Sequence, residues 1–579
     1  MPVHNADIAA IFEEIADLLE IAGDNPFRIR AYRNAARTLR DLSHEITSMI
    51  AHGEEPTALP GIGNNLAAKI HEIVDTGTTP LLGKLRKRVP PALTELLHLP
   101  GLGPKRVNTL YHELDIHTVE QLYRAALDGR IRTLPGFGAK TEQRIVDAIR
   151  ARSTTSRRFK IATTAPYAEA LVTYLQQGPT VTHVIVAGSY RRAKDTVGDL
   201  DILVTTSAPS RVIDHFVKYD EVAEVIARGS TRVSVRLRST LQVDLRVVAE
   251  DSYGAALVYF TGSKAHNIAL RDLGQQRGLR INEYGVFRKD QRIAGETEDS
   301  VFAAVGLPVI PPELRENRGE LQAARDGTLP HLVELSDLKG DLHAHTTATD
   351  GRHSLKEMAL AARARGFEYL AITEHSHHLS IAHGLDEYRL MTQITEIDRL
   401  NAQLSGITLL KSIEVDILED GELDLPDRVL ARLDLVVGAI HSRMHLSRAK
   451  QTERILRAMD RPSFTILAHP TGRLMPERDP YDVDMPRIIH HARERGCFLE
   501  LNAHPERMDL LDTYCRLAKQ EGVLVSINSD AHSVLDFHNL RFGIGQARRG
   551  WLEKEDVLNT RPLHALLPLL RNCIKREVA

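Results

Sequence analysis

The rhythm of apolar and polar positions changes twice along the chain. Up to about residue 155 apolar residues recur at helical spacing, with short Gly/Pro breaks and almost no β-branched alternation, which predicts helices throughout. From about 158 to 250, alternating runs such as HVIVAGS, DILVTT and LQVDLRVV stand between helical stretches, the pattern of half-buried strands. Residues 253–318 are mixed and close with the proline-bearing GLPVIPPELRE, after which the polar residues 319–336 read as a linker. Beyond them the short apolar runs YLAIT, DLVVGAI, FTILAH, CFLELN and VLVSINSD alternate with polar helical segments. That βα repetition predicts a parallel sheet or barrel over 337–575, with chemistry at the strand C-terminal ends. The chain thus reads as multidomain α and α/β, divided at 1–85, 86–155, 156–252, 253–318, 319–336 and 337–575.

Within the helical part a motif repeats: LPGIGNNLAAKI from Leu59, LPGLGPKRVNTL from Leu99 and LPGFGAKTEQRI from Leu134. Each places two glycines between helices (Gly61 and Gly63, Gly101 and Gly103, Gly136 and Gly138), where the backbone turns tightly and can approach another molecule. The helix that follows offers free N–H groups and its positive dipole end, a site for a phosphate. These repeats resemble the helix-hairpin-helix motif, which grips the DNA backbone without reading sequence. The third copy is open to a second reading, a domain hinge.

Composition adds limits. At 579 residues the chain is too long for one core. A formal net charge of -3 does not announce a nucleic-acid binder, but acidic metal-ligand clusters can offset basic DNA-facing patches in the total. Three cysteines without paired spacing, Cys497, Cys515 and Cys573, argue against a disulfide framework or a cysteine-based zinc module. No apolar stretch approaches membrane-spanning length, and the N-terminus reads as an acidic amphipathic helix. A cytoplasmic monomer is expected.

Two constellations carry chemistry. In GSYRRAKDTVGDLDI, Asp199 and Asp201 are two apart on a strand, so both carboxylates share a face, and Asp244 lies in a further alternating strand able to pair alongside. Three converging carboxylates repel unless neutralised, which two divalent cations do while stabilising the attacking and leaving oxygens of an in-line displacement. Upstream, Gly188 and Ser189 open a turn suited to a triphosphate, with Arg192 close by. This set is similar to the nucleotidyltransferase superfamily.

YFTGSKAHNIALR (Tyr259 to Arg271) and INEYGVF (from Ile281), together with the hairpins, resemble the family X DNA polymerases, typified by polymerase beta, over residues 1 to about 315. The resemblance implies a nucleotidyltransferase palm and a thumb, with Asp199, Asp201 and Asp244 as ligands of Mg or Mn. It implies triphosphate contacts at Gly188, Ser189, Arg192 and Gly198. Tyr259, Phe260 and Gly262 would lie at the nucleotide sugar, and Asn267 and Arg271 at the nascent pair and template. Lys264 stands where relatives often carry an acidic residue, and the interval from Asp201 to Asp244 is short for a template-independent enzyme. NLAAKIHEIVDTG matches the family's lyase helix, which makes Lys69 a candidate Schiff-base nucleophile, with Tyr32 and Arg28 near the 5′-phosphate. Asn65 departs from the family's usual lysine, so Lys69 stays open between that role and a helix-surface lysine near DNA.

The second constellation is histidine-rich. Sixteen of the 27 histidines fall after residue 337, and many stand at strand ends. DLHAHTTATDG supplies His343, His345 and Asp350; ITEHS His375; SIEVDI Glu414; GAIHSRMH His441; ILAHPTGR His469; NSDAHS Asp530 and His532. Imidazole with carboxylate suits Zn, Mn or Fe rather than Mg or Ca, and nine donors suit two or three ions. The series resembles the PHP domain, a distorted (βα)7-type barrel of metal-dependent phosphoesterases. His378, His445, Arg473 and His504 are secondary candidates for holding substrate or orienting ligands.

Bacterial family X polymerases carry this domain at the C-terminus. The resemblance implies a polymerase that fills short gaps in DNA repair from deoxynucleoside triphosphates on gapped or nicked DNA. It also implies a 3′→5′ exonuclease, with abasic-site endonuclease or 3′-end processing. The alternative is a phosphoesterase that uses the polymerase-like half only as a DNA-binding scaffold.

Overall fold

The computed structural model describes residues 5–41, 46–51, 54–88, 93, 96, 99, 102–114, 116–134, 136–155, 158–178, 180–379, 382–475, 477–574. Two compact units are present, Met1–Arg158 and Phe159–Ala579.

The first unit is helical among its described residues. Its helices Asn5–Ile21 and Pro26–Asp41 bury one apolar face each, with Phe12, Ile15, Leu19 and Leu39 fully enclosed. Three of its helices, Asn64–Thr76, Pro104–Leu114 and Ala139–Thr155, begin just after a Gly-x-Gly turn.

The second unit opens with β1 (Phe159–Lys160), β2 (Val181–Val186), β3 (Thr196–Val197), β4 (Asp199–Thr206), β5 (Val222–Arg228), β6 (Arg232–Leu237) and β7 (Gln242–Val248). Five of them form a sheet in the order β2-β4-β7-β6-β5, in which β4 and β7 are parallel and the other neighbours antiparallel. Alternation decides its two faces. Leu200, Ile202 and Val204 pack on the helix Ile161–Gln176, while Asp199 and Asp201 project from the opposite side. A smaller three-stranded sheet follows: β8 (Leu279–Asn282), β9 (Gly285–Arg288) and β10 (Gln291–Ala294), next to the helices Tyr253–Thr261 and Lys264–Gln276.

Residues 319–336 differ from the expected linker. They contain a helix, Glu320–Asp326, whose Ala324 joins the core of this smaller sheet and whose Glu320 is fully buried against His266 Nδ1 at 2.7 Å. The stretch looks polar because part of its charge is spent inside the fold, where it must be paired.

β11 (Gly340–Asp341), β12 (Tyr369–Ile372), β13 (Thr408–Asp416), β14 (Leu435–Ala439), β15 (Ile466–Leu467), β16 (Phe498–Asn502) and β17 (Val525–Asn528) pair in sequence order, all parallel. A parallel bridge between Ala344 and Ala531, just past β11 and β17, draws the two edges together. Buried on both faces, the strands are apolar runs rather than alternating ones.

Apolar burial joins the barrel to the palm sheet. Met508 and Phe542 of the barrel lie in the palm's own core cluster, 1% and 9% exposed. Each such side chain contributes roughly 1.5–3 kcal/mol. The partly exposed ion pairs Lys160–Glu506 and Arg541–Glu169 flank them, and pairs of that kind contribute about 0–1 kcal/mol.

Candidate active sites

The parallel pairing of β4 and β7 sets Asp201 opposite Asp244, and Asp199 shares the face of Asp201. From β6, Ser234 stands opposite Asp244 and gives it a hydroxyl hydrogen bond; Gln242 Nε2 donates to the other carboxylate oxygen at 3.0 Å. Asp244 is buried and Asp199 exposed, so the face steps from floor to solvent. Burial, then the negative charges of Asp199 and Asp244, push the Asp201 carboxyl up to about 7. A site that resists its own ionisation in this way suits bound cations.

Gly188 closes the floor. Its φ is +61°, and a β-carbon there would stand 2.5 Å from Asp201 Oδ2, so the turn needs glycine on both counts. Ser189 follows in the short helix Gly188–Arg191, and Gly198 directly precedes β4. Arg192 Nε donates to Glu316 at 3.0 Å and its Nη1 to the Thr261 carbonyl at 2.5 Å, beneath Gly262, where a β-carbon would stand 3.2 Å from the same Nη1. Arg191 forms two bonds to Glu298, at 2.8 and 2.7 Å. Tyr259 and Phe260 meet edge to face at 5.1 Å, and the Arg246 guanidinium lies 4.3 Å from the Phe260 ring. Asn267 Nδ2 donates to the Tyr259 carbonyl at 2.6 Å, and Arg271 is exposed. Tyr259, Asn267 and Arg271 line one shallow pocket.

In the helical unit Gly61 and Gly136 adopt φ of +76° and +81°. Among the described residues, a β-carbon on Gly63, Gly103 or Gly138 would meet nothing within 4 Å. Gly63 caps its helix without a side-chain bond, leaving amide donors for an outside partner. Gly101 lies outside the described residues. Tyr32 is buried, 5.3 Å from Phe12 and edge-on to it. Arg28 pairs with Asp24 at 3.0 Å, and Lys69 Nζ stands 3.7 Å from Glu72.

The barrel gathers its donors far more tightly. Among the described residues, sets of three or more donors lying within 4.8 Å of one another are His345, Asp350, His375 and His532; His343, His345 and Asp530; and His375, Glu414 and His441. His469 Nε2 completes the series at 2.9 Å from Glu414. The nine donors expected from the sequence therefore lie together at the strand ends, whereas Asp199, Asp201 and Asp244 line a face without closing into such a set among the described residues. His343 Nε2 and His345 Nε2 are buried and stand 3.3 and 3.2 Å from Asp530 Oδ1, so that three donor atoms face one point, a placement that fits a shared ion. His469 and Asp530 have φ of +27° and +54°, backbone positions that cost about 1–3 kcal/mol and are retained where the surroundings over-determine them.

Charge in the barrel is finely divided. Although burial opposes it, Glu414 and Asp350 raise His375 to about 10. Burial, then His532 and His375, lower His345 to about 3. A cation held here would need these imidazoles neutral, so its affinity would weaken as the pH falls.

Sequence reasoning missed the carboxylates that hold these histidines. Glu500 accepts from His343 Nδ1 at 2.7 Å and from the His469 amide at 2.8 Å; Asp416 faces His441 Nδ1 at 2.7 Å. Such carboxylates fix the tautomer of a ligating histidine and raise its basicity. Asp416 was within reach of the sequence, since it shares the strand face of Glu414 two residues away. Glu500, in an apolar strand, had no such neighbour. Arg507 Nε approaches Asp530 at 3.4 Å, and His504 lies close enough to feel the Asp530 charge. The secondary candidates His378 and His445 are exposed. Arg473 is no ligand holder: it spans the Arg507 and Met508 carbonyls and Asp195 of the palm.

Known families match successive stretches of the chain. Residues 3–79 match the helix-hairpin-helix domain, 93–151 the SAM-like helix-hairpin-helix tandem, 162–249 the DNA polymerase beta palm, 256–316 the DNA polymerase beta thumb and 341–529 the PHP domain. The DNA polymerase/3′-5′ exonuclease PolX of Bacillus subtilis is 40% identical over 97% of this chain and 98% of its own. The chain belongs to the family X DNA polymerases that carry a PHP domain. Rat DNA polymerase lambda is 26% identical over 54% of this family X chain and 56% of its own. A probable phosphatase of Acetivibrio thermocellus is 29% identical over 38% of the chain and 86% of its own. The chain is a DNA polymerase and 3′→5′ exonuclease by this membership. Among the described residues no helix is long and apolar enough to cross a membrane.

Proposed function

We propose that the palm face adds a deoxynucleotide to the primer end in a short DNA gap, and that the barrel removes nucleotides or damaged groups from 3′ ends. The observation that supports this reading most is the pairing of Asp201 with Asp244 on adjacent parallel strands, separate from a nine-donor barrel pocket. Asp199, Asp201 and Asp244 are the proposed ligands of Mg or Mn in the palm, hard ions suited to carboxylate oxygen. Zn, Mn or Fe suits the mixed donors of the barrel. Such ions, when bound, stabilise charge on attacking and leaving oxygens.

The remaining roles belong to the chain. Ser189, Arg192 and the backbone around Gly188 and Gly198 orient the triphosphate, while Tyr259, Phe260 and Gly262 shape the sugar pocket. Asn267 and Arg271 face the nascent pair and template. The hairpin glycines bring helix N–H groups to backbone phosphates, so that 1–85 and 86–155 serve as DNA-holding domains for the palm at 156–252, the thumb at 253–318 and the barrel at 337–575. In the barrel Glu500 and Asp416 hold ligand histidines, and Arg507 screens Asp530. Primer extension on one-nucleotide-gapped DNA with Mg or Mn tests the reading. Template-directed addition of one nucleotide is expected, and its absence beside intact nuclease activity would favour the scaffold alternative.

Lys69 is the proposed lyase nucleophile, with Tyr32 and Arg28 in its neighbourhood. Two features weaken it: Asn65 leaves the pocket less basic, and a Schiff base would have to break the Lys69–Glu72 pair. Borohydride trapping on DNA bearing a 5′-deoxyribose phosphate should give a weak adduct that Lys69→Ala removes. Strong trapping that survives the substitution would move the nucleophile elsewhere.

A further inference from the structure

The segment Arg192–Asp195 connects the proposed triphosphate turn to the strand that carries Asp199, and the barrel holds it at three points. Arg549 Nη1 donates to the Arg192 carbonyl at 2.9 Å. Arg473 Nη1 donates to Asp195 at 2.9 Å. Between them Gly545 leaves no room for a side chain, because a β-carbon there would stand 2.8 Å from the β-carbon of Ala193.

The same arginine settles the charge next to Arg192. Arg549, only 2% exposed, also donates to Glu316 at 2.9 Å and to Asp512 at 2.7 Å. Glu316 in turn accepts from Arg192 Nε at 3.0 Å and lies 3.6 Å from Lys194 Nζ. Burial works to raise the Glu316 carboxyl, but the charges of Arg549, Arg192 and Lys194 overcome it and hold it at about 2. Glu316 is therefore a fixed anion beside the place proposed for a triphosphate. Without Arg549 it would be shared by fewer cations, would bind Arg192 more strongly and would repel the nucleotide.

We propose that Arg549 of the barrel is a positioning residue for nucleotide addition, holding the main chain at Arg192 and taking up the charge of Glu316 so that Arg192 stays oriented for the incoming triphosphate. The barrel on this view is a structural part of the polymerase site as well as a nuclease. The proposal rests on the reading of Arg192 as a triphosphate contact.

The test is steady-state insertion of one nucleotide into gapped DNA by the full-length chain, with 3′ digestion of single-stranded DNA measured on the same preparations. Arg549→Met is expected to raise the KM for the nucleotide by about tenfold, because most of the cost of breaking a buried charge network falls on folding and only part on nucleotide binding, with a smaller change in kcat. Arg549→Lys should recover part of the loss, digestion should stay normal, and adding Arg549→Met to Arg192→Ala should cost less than the same change costs the parent, because part of what Arg549 does is to orient the Arg192 side chain. If Arg549→Met also loses digestion, Gly545→Val decides by the same KM readout, since it wedges Ala193 without touching any charge. A rise in KM for Arg192→Ala with both barrel variants within about twofold of the parent would overturn the positioning role and leave the polymerase site standing. No rise for Arg192→Ala would sink the triphosphate reading itself, and the proposal with it.

Discussion

Glu414 in the barrel has five imidazoles within 4 Å, from His343, His345, His375, His441 and His469. Asp244 in the palm has a hydroxyl, an amide and Arg232 at 3.6 Å, and its fellow carboxylates step outward until Asp199 is exposed. The barrel gathers its imidazoles around one buried carboxylate, and further carboxylates hold His343 and His441 from behind. The palm face uses only oxygen donors on an open sheet and leaves a cation-binding set incomplete. A nuclease that must hold its ions between encounters needs the first arrangement. A polymerase whose nucleotide arrives with its own phosphate oxygens can use the second.

The contrast is broken most severely by emptying the barrel. His343→Ala with His345→Ala removes two donors from the tightest sets, and 3′ digestion should fall by roughly a thousandfold or more, since losing several kcal/mol of charge stabilisation has that effect. Primer extension should continue, and the content of bound transition metal per chain should drop. Digestion that persists would place the nuclease elsewhere.

Glu500→Gln sharpens the comparison. It keeps the volume but withdraws the carboxylate from His343, and a loss of about 10–100-fold in metal affinity or digestion is expected. Titrating the metal-free protein with Zn or Mn reads this directly; unchanged affinity would mean that Glu500 serves only the barrel's fold.

The smallest effect concerns DNA grip. Because hairpin amides and basic side chains address phosphates, log affinity for gapped DNA should fall with log salt at a slope of roughly -0.9 per phosphate contact, whatever the sequence. A flat response would detach the hairpins from DNA altogether.

Much of both sites was legible because their periodicities are local. Asp199 and Asp201 share a strand face, Asp244 stands in an alternating strand, and histidines at the ends of apolar runs mark a barrel mouth. What escaped has long sequence separation or an unhelpful local setting. Arg549 meets Glu316 across 233 positions, and Glu500 meets His343 across 157. Arg473 looked like a barrel-mouth residue because of its place after His469, yet its side chain turns to the palm. Glu320 sits in polar sequence, and its burial depends on His266, a residue of another helix.

The most direct measurement of the central claim, that two independent sites share this chain, is Asp244→Asn assayed for both activities in one preparation. Nucleotide addition should fall by roughly a thousandfold while 3′ digestion stays near normal, because the substitution removes a palm carboxylate and touches none of the nine barrel donors. Loss of both activities together, in a variant that remains folded, would contradict the account.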